Sequence, residues 1–152
     1  MSELNNWQKA VVDLVSKHFE ERDNEEYLGL NGFEINKKLS INVALPDKED
    51  KHLELVKYLA NNYPCLVIYK NSDDYKQITQ GIENSDSTTV SWYEIFYVIH
   101  KPDLNRPSLE YAELLQKFTG KHIVVYKGLS LRDEIKNFIF AESKGAVVLL
   151  GQ

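Results

Sequence analysis

The segment Lys127-Gly128-Leu129-Ser130-Leu131-Arg132 stands between an apolar run and a helical pattern, and its residue types suit anion binding. A helix start offers free N–H groups and the positive end of the helix dipole. Lys127 and Arg132 would add full charges and Ser130 a hydroxyl, so the segment reads as a holder for a phosphate or carboxylate. It also carries part of the Gly-x-Ser-x-Gly pattern of a nucleophile elbow. Arg132 occupies the position of the second Gly, which the close strand-to-helix approach needs, so serine-hydrolase chemistry is not expected.

Other spacings are weaker. Glu49 and His52 are three residues apart, as in a Glu-x-x-His metal pair, but such sites need a second pair and further carboxylates. His18 and Glu21 form the same pair reversed. Glu49-Asp50-Lys51 and Glu142-Ser143-Lys144 match the Glu-x-Lys tail of metal-dependent nucleases, yet neither sits on an expected strand behind a suitable acid. A Walker A loop, a Gly-x-Gly-x-x-Gly loop and a His-Glu-x-x-His helix are absent from the sequence. Cys65 is the single cysteine, which excludes an intrachain disulfide and a multi-cysteine zinc site. No catalytic residue, metal or cofactor is assigned from these patterns, and the reading leans away from an enzyme.

Charge points to a different class. The net charge is −5 and unevenly spread. Residues 1–100 carry 10 Lys and Arg against 17 Asp and Glu, whereas residues 101–152 carry 8 against 6. Phosphate backbones need a concentrated positive field, so nucleic acid is not the expected partner. A basic protein is better matched. The exposed acids for such a contact would be Glu20, Glu21, Asp23, Glu25 and Glu26 in one run, and Asp73 and Asp74 in a second. No apolar run approaches the roughly 20 residues of a membrane span. Met1 to Trp7 shows no cationic segment followed by an apolar stretch, so a secretory signal is not expected and the cytoplasm is the default location.

The elements that would position these residues follow from periodicity. Ser2 can cap a helix carrying Leu4, Trp7, Val11, Leu14, Val15 and His18, which the acidic run from Glu20 to Glu26 would end. Asn31-Gly32 between apolar residues predicts a hairpin over 27–35. Leu39 to Leu45 alternates as a half-buried strand. Pro46-Asp47 then starts a helix with Leu53, Val56, Leu59 and Ala60. Cys65 to Tyr69 is a continuously apolar strand of the kind buried on both faces. Lys70 to Asp74 reads as a turn and Tyr75 to Ile82 as a weak helix. Thr88 to Ile99, β-branched and aromatic, reads as one long strand or two joined by a bend. Its aromatic block, Trp92, Tyr93, Phe96 and Tyr97, would all be core if helices cover both sheet faces. Pro102-Asp103 leads to a helix with Leu109, Ala112, Leu115 and Phe118, capped by Gly120. His122 to Tyr126 is a strand. Ser130 and Asp133 form a box-like cap for a helix with Leu131, Ile135, Phe138 and Ile139. Gly145 stops that helix, and Ala146 to Leu150 is a last strand.

The order also suggests a repeat. Pro46-Asp47 and Leu53-Glu54 recur 56 residues later as Pro102-Asp103 and Leu109-Glu110, and Tyr69-Lys70 recurs, with one insertion, as Tyr126-Lys127. The expected fold is therefore one α/β domain over 1–152, with a mixed, largely parallel sheet. An N-terminal helix and β-hairpin precede two βαβα-like halves. Right-handed crossovers would bring Asp47, Lys70, Asp103 and Lys127 to one carboxyl edge.

Three functional expectations follow. The first is a non-enzymatic, inhibitor-like module engaging a basic protein through acidic surface. The second is a small-molecule enzyme or sensor, with Lys70, Lys127, Ser130 and Arg132 on an anionic ligand and Asp47 or Asp103 as general base. The third is a subunit of a homo-oligomer.

Overall fold

A computed structural model describes residue 4 and residues 6–27, 40–43, 51–100, 109–128, 131–143 and 147–150. Among these described residues, six helices and five strands follow in the order α1 (Asn6–Tyr27), β1 (Ser40–Val43), α2 (Lys51–Asn62), β2 (Cys65–Tyr69), α3 (Ser72–Thr79), β3 (Thr88–Ser91), α4 (Trp92–Ile99), α5 (Leu109–Phe118), β4 (His122–Tyr126), α6 (Asp133–Glu142) and β5 (Val147–Leu150). The strands form one sheet in the order β1-β5-β4-β2-β3, and all four pairings are parallel, not mixed.

Period-two alternation divides the core. Cys65, Val67, Val124, Tyr126, Val148 and Leu150 face one side, with α1, α2 and α3 packed on them through residues such as Phe19, Leu59 and Ile78. Leu66, Ile68, Ile123, Val125, Val147 and Leu149 face the other, under α4, α5 and α6 through Ile95, Phe118, Ile135 and Ile139. Both faces of β2, β4 and β5 are covered, which is why these strands are unbroken apolar runs. Steps toward β3 place their helices on the first face and steps back toward β5 place theirs on the second. A single handedness of crossover requires this division.

Helix α1 continues through the acidic run to Tyr27 instead of ending before it. It docks through Val12, Val15 and Phe19, with Leu14 turned to solvent. Phe19 stacks on His122 at 3.9 Å, and Tyr63 Oη donates to Ser16 Oγ at 2.5 Å. The hairpin expected over 27–35 falls, past Tyr27, outside the described residues, as do Ser2, Gly145 and both Pro-Asp turns.

The largest departure is at Thr88–Ile99. Only Thr88–Ser91 is strand, and Trp92–Ile99 is helix α4. Ser91 Oγ accepts from the Glu94 N–H at 3.1 Å. Ser91 and Glu94 have the Ser-x-x-Glu spacing of a capping box, a local start signal that outweighs strand propensity. The aromatic block is split accordingly. Trp92 and Phe96 pack against the second cluster, whereas Tyr93 and Tyr97, one turn apart, are each 58% exposed. α4 also makes the two halves unequal, because among the described residues no helix separates β1 from α2. Helix α3 starts at Ser72, capped by Asn71, so Asp73 and Asp74 are in its first turn and not in a loop. Helix α6 starts at Asp133 with Arg132 as N-cap and no side-chain cap bond, so the expected Ser130–Asp133 box does not begin it. Gly120 takes φ +70 after α5, as a C-terminal cap requires.

Two outcomes follow from this packing. Ser91→Ala removes the α4 cap and should cost about 1 kcal/mol in urea unfolding, while Ser91→Asp should retain most of it. Burial pushes the Cys65 thiol from 9.0 up to about 12, with the Lys121 charge opposing. The unfolded chain releases this proton near pH 9 and the folded chain holds it. The thiol's contribution is therefore complete below pH 9 and is lost as pH rises toward 12. Above pH 9 the wild type should lose about 1.4 kcal/mol more per pH unit than Cys65→Ala. Equal slopes in the two proteins would show that Cys65 is not buried.

Candidate functional site at the carboxyl edge

The direction of the chain across the sheet reverses after β3. The chain steps from β2 outward to β3, then crosses back past β2 to β4. The carboxyl ends of β2 and β4 therefore flank a topological switch point, where open α/β sheets bind ligands. The two Tyr-Lys pairs stand there. Ile68 is in register with Val125, which brings Tyr69-Lys70 beside Tyr126-Lys127.

The two lysines differ in setting. Lys70 is partly exposed at the end of β2. Lys127 has φ +59, a left-handed conformation rare for a residue with a side chain. The next residue explains it. A Cβ on Gly128 would lie 3.0 Å from Val125 Cβ and 3.1 Å from Leu149 Cδ2, so the chain turns down against the sheet immediately after Lys127. Lys127 Nζ then lies 3.0 Å from Asp74 Oδ1 and 5.4 Å from the centre of the Tyr126 ring.

Asp74 is held in place by α3. Its backbone N–H donates to Asn71 Oδ1 at 3.0 Å, and the helix N-terminus favours its charge. The carboxylate side chain is only 5% exposed, against 39% for Lys127. Its second oxygen, Oδ2, is buried without a hydrogen-bond partner among the described residues. A buried polar group left unsatisfied is costly and calls for a partner. Neighbouring Tyr75 is 5.2 Å from the Tyr69 ring. Burial first, then Tyr75 and Glu94, hold the Tyr69 hydroxyl above its ordinary 10.0, against a side-chain hydrogen bond from Ser91. Trp92, which follows β3, has a buried indole Nε1 likewise without a partner among the described residues.

Of the expected anion cradle, Lys127 and Arg132 are among the described residues. Arg132 lies 5.0 Å over Phe96 and 3.3 Å from Glu134, which also meets His100 at 2.8 Å, so the arginine is engaged between α4 and α6. Asp133 and Glu134 already supply negative charge to the α6 N-terminus. Ser130, Asp47 and Asp103 lie outside the described residues. Of the acids expected on the surface, Glu20 and Asp73 are exposed, while Asp74 is buried. Glu21, Asp23, Glu25 and Glu26 lie on the last turns of α1. The sequence reading takes Asp74 as a surface acid, yet it stands four before Ile78, the buried apolar residue of α3, and so on the inward face. No group of three metal-ligating side chains occurs among the described residues. No described helix is long and apolar enough to cross a membrane.

Removing Lys127 should strand the Asp74 carboxylate. Lys127→Ala should therefore destabilise the fold by about 1–3 kcal/mol, and the double change with Asp74→Ala should cost less than the two single losses combined. Additive losses in urea unfolding would show that the pair is not energetically coupled.

No family model matches this chain, and neither a curated protein nor a solved structure shows significant similarity to it.

Proposed function

We propose that this chain binds a small polar ligand with an anionic group in the crevice between the carboxyl ends of β2 and β4, with Lys127 as its principal charged contact. The observation that carries the reading is the Asp74–Lys127 pair at the strand-order reversal, with one buried carboxylate oxygen left without a hydrogen bond among the described residues. Lys127 is exposed enough to meet a ligand and is held by a left-handed turn that fixes where its side chain starts. Lys70 is the second charged group at the same edge. Arg132 lies over Phe96 and beside Glu134, between α4 and α6.

A second reading is a protein-binding surface. It is favoured by Tyr93 and Tyr97, large aromatic side chains exposed one turn apart on α4. Tyrosine is enriched among residues that anchor interfaces. The acidic partner surface draws on the exposed Glu20 and Asp73.

Thermal unfolding across a panel of small carboxylates, phosphates and amino acids tests the first reading. A ligand present at about 100 times its dissociation constant should stabilise the wild type by about 2.7 kcal/mol. Lys127→Ala should lose that gain, whereas Tyr93→Ala should keep it. Stabilisation that survives Lys127→Ala unchanged would place the ligand elsewhere.

A further inference from the structure

We infer that the ligand of this crevice is a small zwitterion of the α-amino acid type, carrying an ammonium group beside a carboxylate. This rests on the crevice reading above and narrows it. The argument concerns which charges can open the Asp74–Lys127 pair. Nζ and Oδ1 are 3.0 Å apart, and the acid's side chain is 5% exposed whereas that of the lysine is 39% exposed. A carboxylate only accepts and an ammonium only donates. Oδ2, without a partner among the described residues, can therefore be satisfied only by a donor.

A simple anion approaching Lys127 also meets Asp74. It is either repelled by that carboxylate or draws Lys127 away and leaves a buried charge unpaired, the costly way to break such a pair. A simple amine can reach Asp74 only by crowding two cations onto one carboxylate or by expelling Lys127. A zwitterion avoids both problems. Its ammonium donates to Asp74 as Lys127 swings outward, and its carboxylate accepts from Lys127. Four charges then alternate in sign and none is stranded. Lys127 has the long, partly exposed side chain that this exchange needs.

Isothermal titration of the full chain at low salt compares matched probes: alanine with propionate, aspartate with succinate, and ethylamine as the amine alone. Each amino acid should bind at least about tenfold more tightly than its des-amino partner and than ethylamine. Asp74→Asn should erase that preference. Propionate binding as tightly as alanine, with both lost in Lys127→Ala, would overturn the zwitterion assignment and leave the crevice intact as an anion site. Ethylamine matching alanine would overturn it in favour of a cation site. Failure of all five probes to bind at millimolar concentration would overturn both the assignment and the crevice reading. The wild-type comparison decides the matter even if Asp74→Asn does not fold.

Discussion

Burial of a parallel sheet on both faces is the constraint from which the remaining features descend. Parallel neighbours cannot be joined by tight turns, so every connection must cross a face and carry a helix with it. Those helices remove water from both surfaces of β2, β4 and β5, and nearly all side chains on these strands must then be apolar. Their burial shows it: Leu66, Val67, Ile68, Ile123, Val124 and Val125 are all fully enclosed. Polar chemistry has no place on such strands and is displaced to their ends. The return of the chain past β2 after β3 then sends the helices leaving β2 and β4 onto opposite faces.

The two ends of the sheet are treated differently. At the amino end, Asn61 Oδ1 accepts from the N–H groups of Glu83 and Asn84, while Asn84 and Ser87 side chains donate to the carbonyls of Ala60 and Tyr63 at the end of α2. Ser87 Oγ also accepts from the N–H of Cys65, the first residue of β2. Here the chain closes its own hydrogen-bond account. At the carboxyl end, Asp74 Oδ2 and Trp92 Nε1 have no such partner among the described residues. The contrast falls on the edge that topology alone marks for ligands.

Much of this was legible from residue pattern, and the misses have physical causes. The continuous apolar runs of β2, β4 and β5 could be read directly, because burial on both faces leaves no polar interruption. The inward residues Leu53, Val56, Leu59 and Ala60 of α2 were equally clear from helical spacing. Helix α4 was not. Its segment is rich in residues that favour strands in the abstract, and the deciding information lay in one hydrogen bond, from the Glu94 N–H to Ser91. The carboxyl edge was legible as a location, since both Tyr-Lys pairs were placed there. The pairing across it was not, because Asp74 and Lys127 are 53 residues apart and only the sheet brings them together. Sequence proximity instead groups Lys127 with Arg132, whose guanidinium lies over Phe96.

The two Tyr-Lys pairs also show how one following residue can separate alike sequences into unlike roles. After Lys70 comes Asn71, which caps α3 through its side chain with φ −136, an ordinary extended backbone. The chain runs on smoothly and Lys70 stays at the surface. After Lys127 comes Gly128, whose missing side chain lets the backbone press onto Val125 and Leu149. That descent requires Lys127 to turn left-handed, at a cost of about 1–2 kcal/mol for a residue with a Cβ. The strained turn does not persist on its own account. The packing of Gly128 against Val125 and Leu149 holds it, and Lys127 Nζ then lies 3.0 Å from Asp74, whose N–H donates to the Asn71 cap. The Asp74–Lys127 pair is thus built reciprocally: the residue after the first lysine caps the helix of the acid, and the residue after the second turns the base toward it.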